Sequence, residues 1–260
     1  MAFNLQSITK TVVHRPCRMI LLGIEKVGKS TFAAGADDVV FIPVKREEGI
    51  DSLNVAKFPP VQTFDELMEA LRTLATETHK FKNVVIDSAS ALEPVIWDSV
   101  CADKEVPSIE SIGYGKGFHF ALEKWFEIMD ALDYLREEKG MGSIIIGHVK
   151  IKRFDDPERE SYDAYNFDVK DNVSAALYRW SDFTCFANRS VSIKKEVSGF
   201  KKERKIAEVV DDGQPFLYTK KTPTHPGGGR DLYGQLPDEL PLEYKAFKAA
   251  LADLTKTTKK

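Results

Sequence analysis

Nine residues, Gly23-Ile24-Glu25-Lys26-Val27-Gly28-Lys29-Ser30-Thr31, stand directly behind the apolar run Met19-Ile20-Leu21-Leu22. Gly23 to Ser30 fits the spacing G-x-x-x-x-G-K-[ST], and that spacing suits phosphate for physical reasons. Glycines let the backbone fold around a phosphate chain with several N–H groups pointing inward. The start of the following helix adds positive potential. In such a loop Lys29 reaches the β and γ phosphates and the Ser30 hydroxyl holds Mg2+, while Gly23, Gly28 and Thr31 complete the cradle. The bland alternative is a polar turn. The strand-like run before the loop and the helix-compatible Ser30–Ala36 after it favour a nucleoside triphosphate, with ATP and Mg2+ as the expected cofactors.

Further chemistry must then lie at neighbouring strand ends. Asp87 ends the run Asn83-Val84-Val85-Ile86-Asp87 and could hold the metal through water; the other reading is a cap on the next helix, and the two roles are compatible. Glu47 and Glu48 follow the apolar run at 39–44, where a carboxylate could position the attacking water; a solvated charge run is the alternative. His148 closes Ser143-Ile144-Ile145-Ile146-Gly147 at the carboxyl edge where open α/β sheets bind ligands, and a purely structural histidine is the competing reading.

The elements that must position these groups can be read from periodicity. Residues 18–23, 39–44, 84–87 and 143–147 are nearly continuous apolar runs, as expected of strands buried on both faces. Helical patterns fall at 29–36, 64–78 and 117–138, the last with Phe118, Leu122, Phe126, Met129 and Leu132 as its apolar stripe. The alternation predicts an α/β domain with a doubly wound, mostly parallel sheet. Beyond residue 170 the texture becomes β-like at 183–197 and 205–219, with a helix near 241–254. We therefore divide the chain into an N-terminal segment (1–17), a core (18–190), a β-rich elaboration of the same domain (191–254) and a basic tail (255–260). The formal net charge of -3 gives no global attraction for nucleic acid, so any polyanion must meet a local patch. Three scattered cysteines exclude a disulfide framework or zinc spacing and suit a reducing compartment. With no long apolar span and no signal-peptide core, the expectation is a cytoplasmic protein, in a host cell if phage-encoded, without a membrane partner.

In order along the chain, the motifs resemble the RecA-like ATPases, and most closely the Sak-type phage recombinases. The resemblance rests on the glycine loop, "VVFIPVKREEGIDSL", "VVIDSASAL", "GYGKGF", "IIIGHVKIKRFDDPERESYDAYNFDVK", "RWSDFTCFANR" and "GRDLYGQLPDELPL". It covers most of residues 17–250 and implies a RecA-like P-loop NTPase core. Glu47 would take the catalytic glutamate position, with Lys29 and His148 completing the catalytic set. Two departures stand out: Glu25-Lys26 replaces the usual Pro-Pro, and "GQPF" replaces an arginine before the strand at 216–219.

The same resemblance makes 102–118 and the mobile loop 149–170 the segments that hold single-stranded DNA. Tyr114 and Lys116 in the first, and Lys150, Lys152, Arg153 and Phe154 in the second, are the DNA-binding candidates, since cations follow phosphates while aromatics stack on bases. The second segment also carries six acids, so its linear charge is not basic. Lys194, Lys195 and the 201–205 stretch form a further basic hairpin, along a DNA path or at a solvated edge. The implied activity is a slow, DNA-stimulated ATPase that promotes annealing or homologous pairing as a homo-oligomeric filament or ring, with a single-strand binding protein as a further partner. The alternatives are a helicase-like motor, a nucleotide-gated adaptor with little hydrolysis, and a small-molecule kinase.

Overall fold

The computed structural model describes residues 8, 10, 15–45, 47–155, 160–189, 191–198, 202–209 and 213–257, with backbone alone at 191–198, 202–209 and 257. Most of the N-terminal segment, Arg46, residues 156–159, Lys201 and the last three residues of the tail lie outside these.

In chain order the strands are β1 (Arg18–Gly23), β2 (Val39–Pro43), β3 (Ala56–Lys57), β4 (Asn83–Asp87), β5 (Gly142–Gly147), β6 (Val149–Phe154), β7 (Tyr162–Phe167), β8 (Phe183–Arg189), β9 (Val191–Ser198), β10 (Lys202–Val209), β11 (Pro215–Tyr218), β12 (Gly228–Gly229) and β13 (Glu239–Pro241). The helices are α1 (Lys29–Ala34), α2 (Phe64–Thr76), α3 (Ala89–Asp103), α4 (Lys116–Glu138), α5 (Asp171–Trp180) and α6 (Tyr244–Thr257). The main sheet runs β13-β11-β8-β1-β5-β4-β2-β3, with β12 added beside β8. From β8 to β3 every pairing is parallel, and the C-terminal strands β11, β12 and β13 join antiparallel. This is a mostly parallel sheet flanked by helices, with a β-rich extension along one edge.

Alternation within β1 sorts its side chains. Ile20 and Leu22 enter the core under α2, α3, α4 and α5, while Met19 and Leu21 enter the core under α1 and α6. Both faces are covered, which is why these strands read as continuous apolar runs. The start of α2 is fixed by a capping box: Thr63 Oγ1 accepts the Glu66 N–H at 3.2 Å and a Glu66 carboxylate oxygen accepts the Thr63 N–H at 3.3 Å.

Several expectations are corrected. The buried stripe of α4 is Ala121, Trp125, Ile128, Met129, Leu132 and Leu135, and Phe126 is 46% exposed. Met129 and Leu132 of the expected stripe are buried, Phe118 and Leu122 are partly buried against the core, and Trp125 takes the core place expected of Phe126. The region 205–219 is two strands, β10 and β11, in different sheets. The segment 149–170, expected as a mobile loop, contains an antiparallel hairpin, β6 with β7, in which Lys150 faces Asn166, Lys152 faces Ala164 and Phe154 faces Tyr162. Its base is closed by the Asp168 N–H donating to the His148 carbonyl at 3.0 Å. Among the described residues, no helix is long and apolar enough to cross a membrane.

Candidate nucleotide site

The carboxyl ends of four adjacent parallel strands meet at one edge of the sheet. The glycine loop follows β1, His148 follows β5, Asp87 ends β4, and Glu47 follows β2. Because β5 lies between β1 and β4, His148 sits between the loop and Asp87. These groups line a cleft of about 450 Å³ with Gly28, Lys29, Ser30, Thr31, Glu47, Asp87 and His148 on its walls. Glu25, Lys26 and Gly49 also line it, so the charged pair that replaces Pro-Pro does stand beside the cleft.

The two motif glycines serve different ends. Gly28 has φ +110°, a backbone region that L side chains rarely adopt. Gly23 has a packing reason: a Cβ there would come within 2.4 Å of the Ala187 carbonyl oxygen on β8. Its own carbonyl nevertheless belongs to the site, accepting from Lys29.

Lys29 is 6% exposed, and its ammonium donates to the carbonyls of Gly23 at 2.9 Å and Ile24 at 2.8 Å. Burial pushes its pKa down to about 8, against the raising pull of Asp87, Glu47 and Glu25. The Ser30 hydroxyl donates to Asp87 at 2.7 Å. Burial raises the Asp87 carboxyl, and the hydrogen bond from Ser30 offsets part of that. Glu47 Oε1 accepts twice, from the Ser88 hydroxyl at 2.6 Å and from His148 Nε2 at 3.1 Å. The His148 bond is the main reason its carboxyl lies below the ordinary value, with burial opposing. A carboxylate acceptor assigns the donor role to Nε2. The other ring nitrogen, Nδ1, is buried with no partner among the described residues. The His148 N–H donates to Ser90 Oγ at 3.1 Å, near the start of α3.

These residues fit a magnesium nucleoside triphosphate. The lysine already occupies carbonyls of the loop it would leave for phosphate oxygens, and Ser30 and Asp87 are at hydrogen-bond distance, as a shared cation requires. Lys29 and the loop would hold the phosphates, Ser30 and Asp87 the metal, and the bound metal would supply charge neutralisation at the phosphates. Glu47 is held at the cleft wall by Ser88 and His148.

Not all predicted residues enter the cleft. Glu48 is exposed and lies outside its lining, so of the two neighbouring glutamates only Glu47 lines the cleft. Tyr114 and Lys116 lie at the start of α4, and Lys150, Lys152, Arg153 and Phe154 lie on β6. Tyr114 has φ 59° and a fully exposed side chain. The serines that link the acids to α3 escaped notice as site groups, although Ser88 directly follows Asp87 in the motif.

No curated protein matches the chain. The glycine loop with its acid at a neighbouring strand end, on a mostly parallel sheet, agrees with a family model described as an AAA domain, which matches residues 15–230. The chain belongs to this AAA domain family and is a nucleotide-binding ATPase of the P-loop type.

Proposed function

We propose that the chain uses ATP to control its grip on single-stranded DNA and promotes annealing or homologous pairing of complementary strands, in the manner its resemblance to Sak-type recombinases implies. The observation that carries this reading is the register of the β6–β7 hairpin. Residues directly opposite one another in an antiparallel pair share a face, and successive residues alternate between faces. One face therefore carries Lys150, Lys152 and Phe154 with Asn166, Ala164 and Tyr162, the two lysines held by exposed ion pairs to Asp168 and Asp171. Asp163 falls on the other face, opposite Arg153. Phe154 and Tyr162 lie with ring centroids 5.5 Å apart. Two lysines and two aromatics on one surface suit phosphate contacts and sequence-independent stacking.

The hairpin begins one residue after His148, whose ring bonds Glu47 in the cleft. ATP binding would reset Lys29, Ser30 and Asp87, Glu47 would orient water, and His148 would pass the change to the hairpin. Copies would assemble along the strand as a filament or ring, with a single-strand binding protein as a further partner. The test measures ATP turnover with and without single-stranded DNA at two salt concentrations, beside annealing of complementary strands. DNA stimulation that fades at high salt, with ATP-dependent annealing, is expected. Turnover indifferent to DNA overturns the reading, and unwinding of a forked duplex without annealing replaces it with a helicase-like motor.

A further inference from the structure

Among the described residues two carboxylates are buried: Asp87 in the cleft, and Glu93 on α3, which the site does not use. Burying a carboxylate is costly unless it is hydrogen-bonded. Glu93 Oε1 accepts the backbone N–H of Lys170 at 2.7 Å. Lys170 is the residue that precedes α5, and its own side chain makes no capping hydrogen bond. The α3 carboxylate thus supplies an acceptor across the fold to the point where the chain leaves the hairpin.

The Lys170 ammonium is equally committed. It lies 3.7 Å from the ring centroid of Phe118 and 6.0 Å from that of Trp97, two rings packed edge to face. Phe118 is in the first turn of α4, directly behind Tyr114 and Lys116; Trp97 is on α3. Three segments therefore converge on Lys170: the end of the hairpin, the start of α4, and α3. The near end of α3 touches the cleft, through Ser88 on Glu47 and Ser90 on the His148 N–H. Ser90 and Glu93 are three residues apart, neighbours on one helical face.

We propose that Glu93 is a positioning residue through which movement at the Ser88–Ser90 end of α3 reaches the hairpin and the start of α4 together. Nucleotide that shifts Asp87 carries the start of α3 with it, and a short helical segment transmits the shift to the Lys170 N–H. Alanine at 93 removes the acceptor. Glutamine keeps an oxygen there and should keep the linkage. The inference rests on the DNA reading only for what the hairpin holds.

The test compares the native chain, Glu93→Ala and Glu93→Gln by hydrogen exchange at 113–118, 149–154 and 162–167, with and without a non-hydrolysable ATP analogue and Mg2+. The analogue is expected to slow exchange in these segments by about fivefold or more in the native chain and Glu93→Gln. In Glu93→Ala the glycine loop should still gain protection while the three segments no longer respond. ATP turnover without DNA should be unchanged in both variants. A hairpin that responds equally in Glu93→Ala, a hairpin silent in the native chain, or a Glu93→Ala chain that loses nucleotide binding altogether would each overturn the inference. Native turnover indifferent to DNA beside an intact exchange response would sink the DNA reading and leave the role of Glu93 standing.

Discussion

The two ends of β1 carry opposite electrostatic arrangements. At its start, Arg18 donates to Asp182 at 2.9 Å and to Asp133 at 3.1 Å. Arg136 adds a bond to Asp182 at 2.8 Å and one to the Pro16 carbonyl at 2.6 Å. Trp180 Nε1 donates to the second oxygen of Asp133 at 3.0 Å. Two arginines meet two aspartates, and each oxygen has a donor. At its other end, one ammonium displaced toward neutrality faces Asp87 and Glu47, and a buried imidazole nitrogen has no partner among the described residues. The first network is complete without help. The second would be completed by phosphate and metal, and that difference separates a scaffold from a candidate site.

Substitutions can break this contrast from either side. The largest effect is expected from Glu47→Gln, which keeps shape and loses the charge proposed to orient water: turnover should fall by a factor of about 100 to 10,000 with ATP binding retained. Single-turnover kinetics with a parallel binding measurement checks this, and undiminished turnover would remove Glu47 from the site. Next comes Asp182→Asn, expected to cost about 3 kcal/mol at neutral pH because two arginines lose their counter-charge, with ATP affinity unchanged. Urea unfolding over a pH series adds the sign. Burial alone would raise the Asp182 carboxyl, but the bonds from Arg18 and the charges of Arg18 and Arg136 outweigh it and hold it below the ordinary value. A depressed carboxylate contributes fully above about pH 4 and loses its contribution as pH falls through its folded value. The gap between native chain and variant should therefore close in acid.

Lys29→Ala reverses that pattern. Removing a buried ammonium should leave stability equal or higher, while nucleotide affinity falls about 30-fold, the worth of one charge-assisted hydrogen bond of about 2 kcal/mol. Calorimetry on both properties decides it, and equal loss of fold and binding would erase the contrast. The smallest effect concerns the hairpin. Lys150 pairs with Asp168 at 2.9 Å and Lys152 with Asp171 at 2.8 Å, both on the surface. Such exposed pairs are weak, so Asp168→Asn should free Lys150 and tighten single-stranded DNA binding by about threefold at low salt. Fluorescence anisotropy with a labelled oligonucleotide is sufficient to see it.

The central strands were legible because burial on both faces writes itself as an unbroken apolar run, and the glycine spacing announced its loop. Less was legible where tertiary context decides. Helix α3 buries Leu92, Val95, Ile96 and Val100 at helical spacing, but Pro94 in its interior and the apolar Ala91, Trp97 and Cys101 beside them blur that stripe. The hairpin did not read as basic along the chain, and only the register of β6 against β7 shows that Asp163 lies on the face away from Lys150 and Lys152. Gly23 read as a phosphate glycine, yet its bare Cα is demanded by a strand that lies 164 positions away at Ala187. Glu93 left no signal at all, being one acid in a helix whose partner, Lys170, is defined by the fold.

Helix α6 packs Tyr244 and Phe247 against Phe32 on α1, with ring centroids 5.5 Å and 6.0 Å away. Leu242 lies beside Gly28, 3.6 Å from where a Cβ would be. The element that presents Lys29 and Ser30 is thus braced by residues from a distant part of the sequence. A chain truncated before Leu242 should not retain a photoreactive ATP analogue, whereas one extending past Phe247 should, so competence for nucleotide depends on a segment far along the chain from the loop it braces.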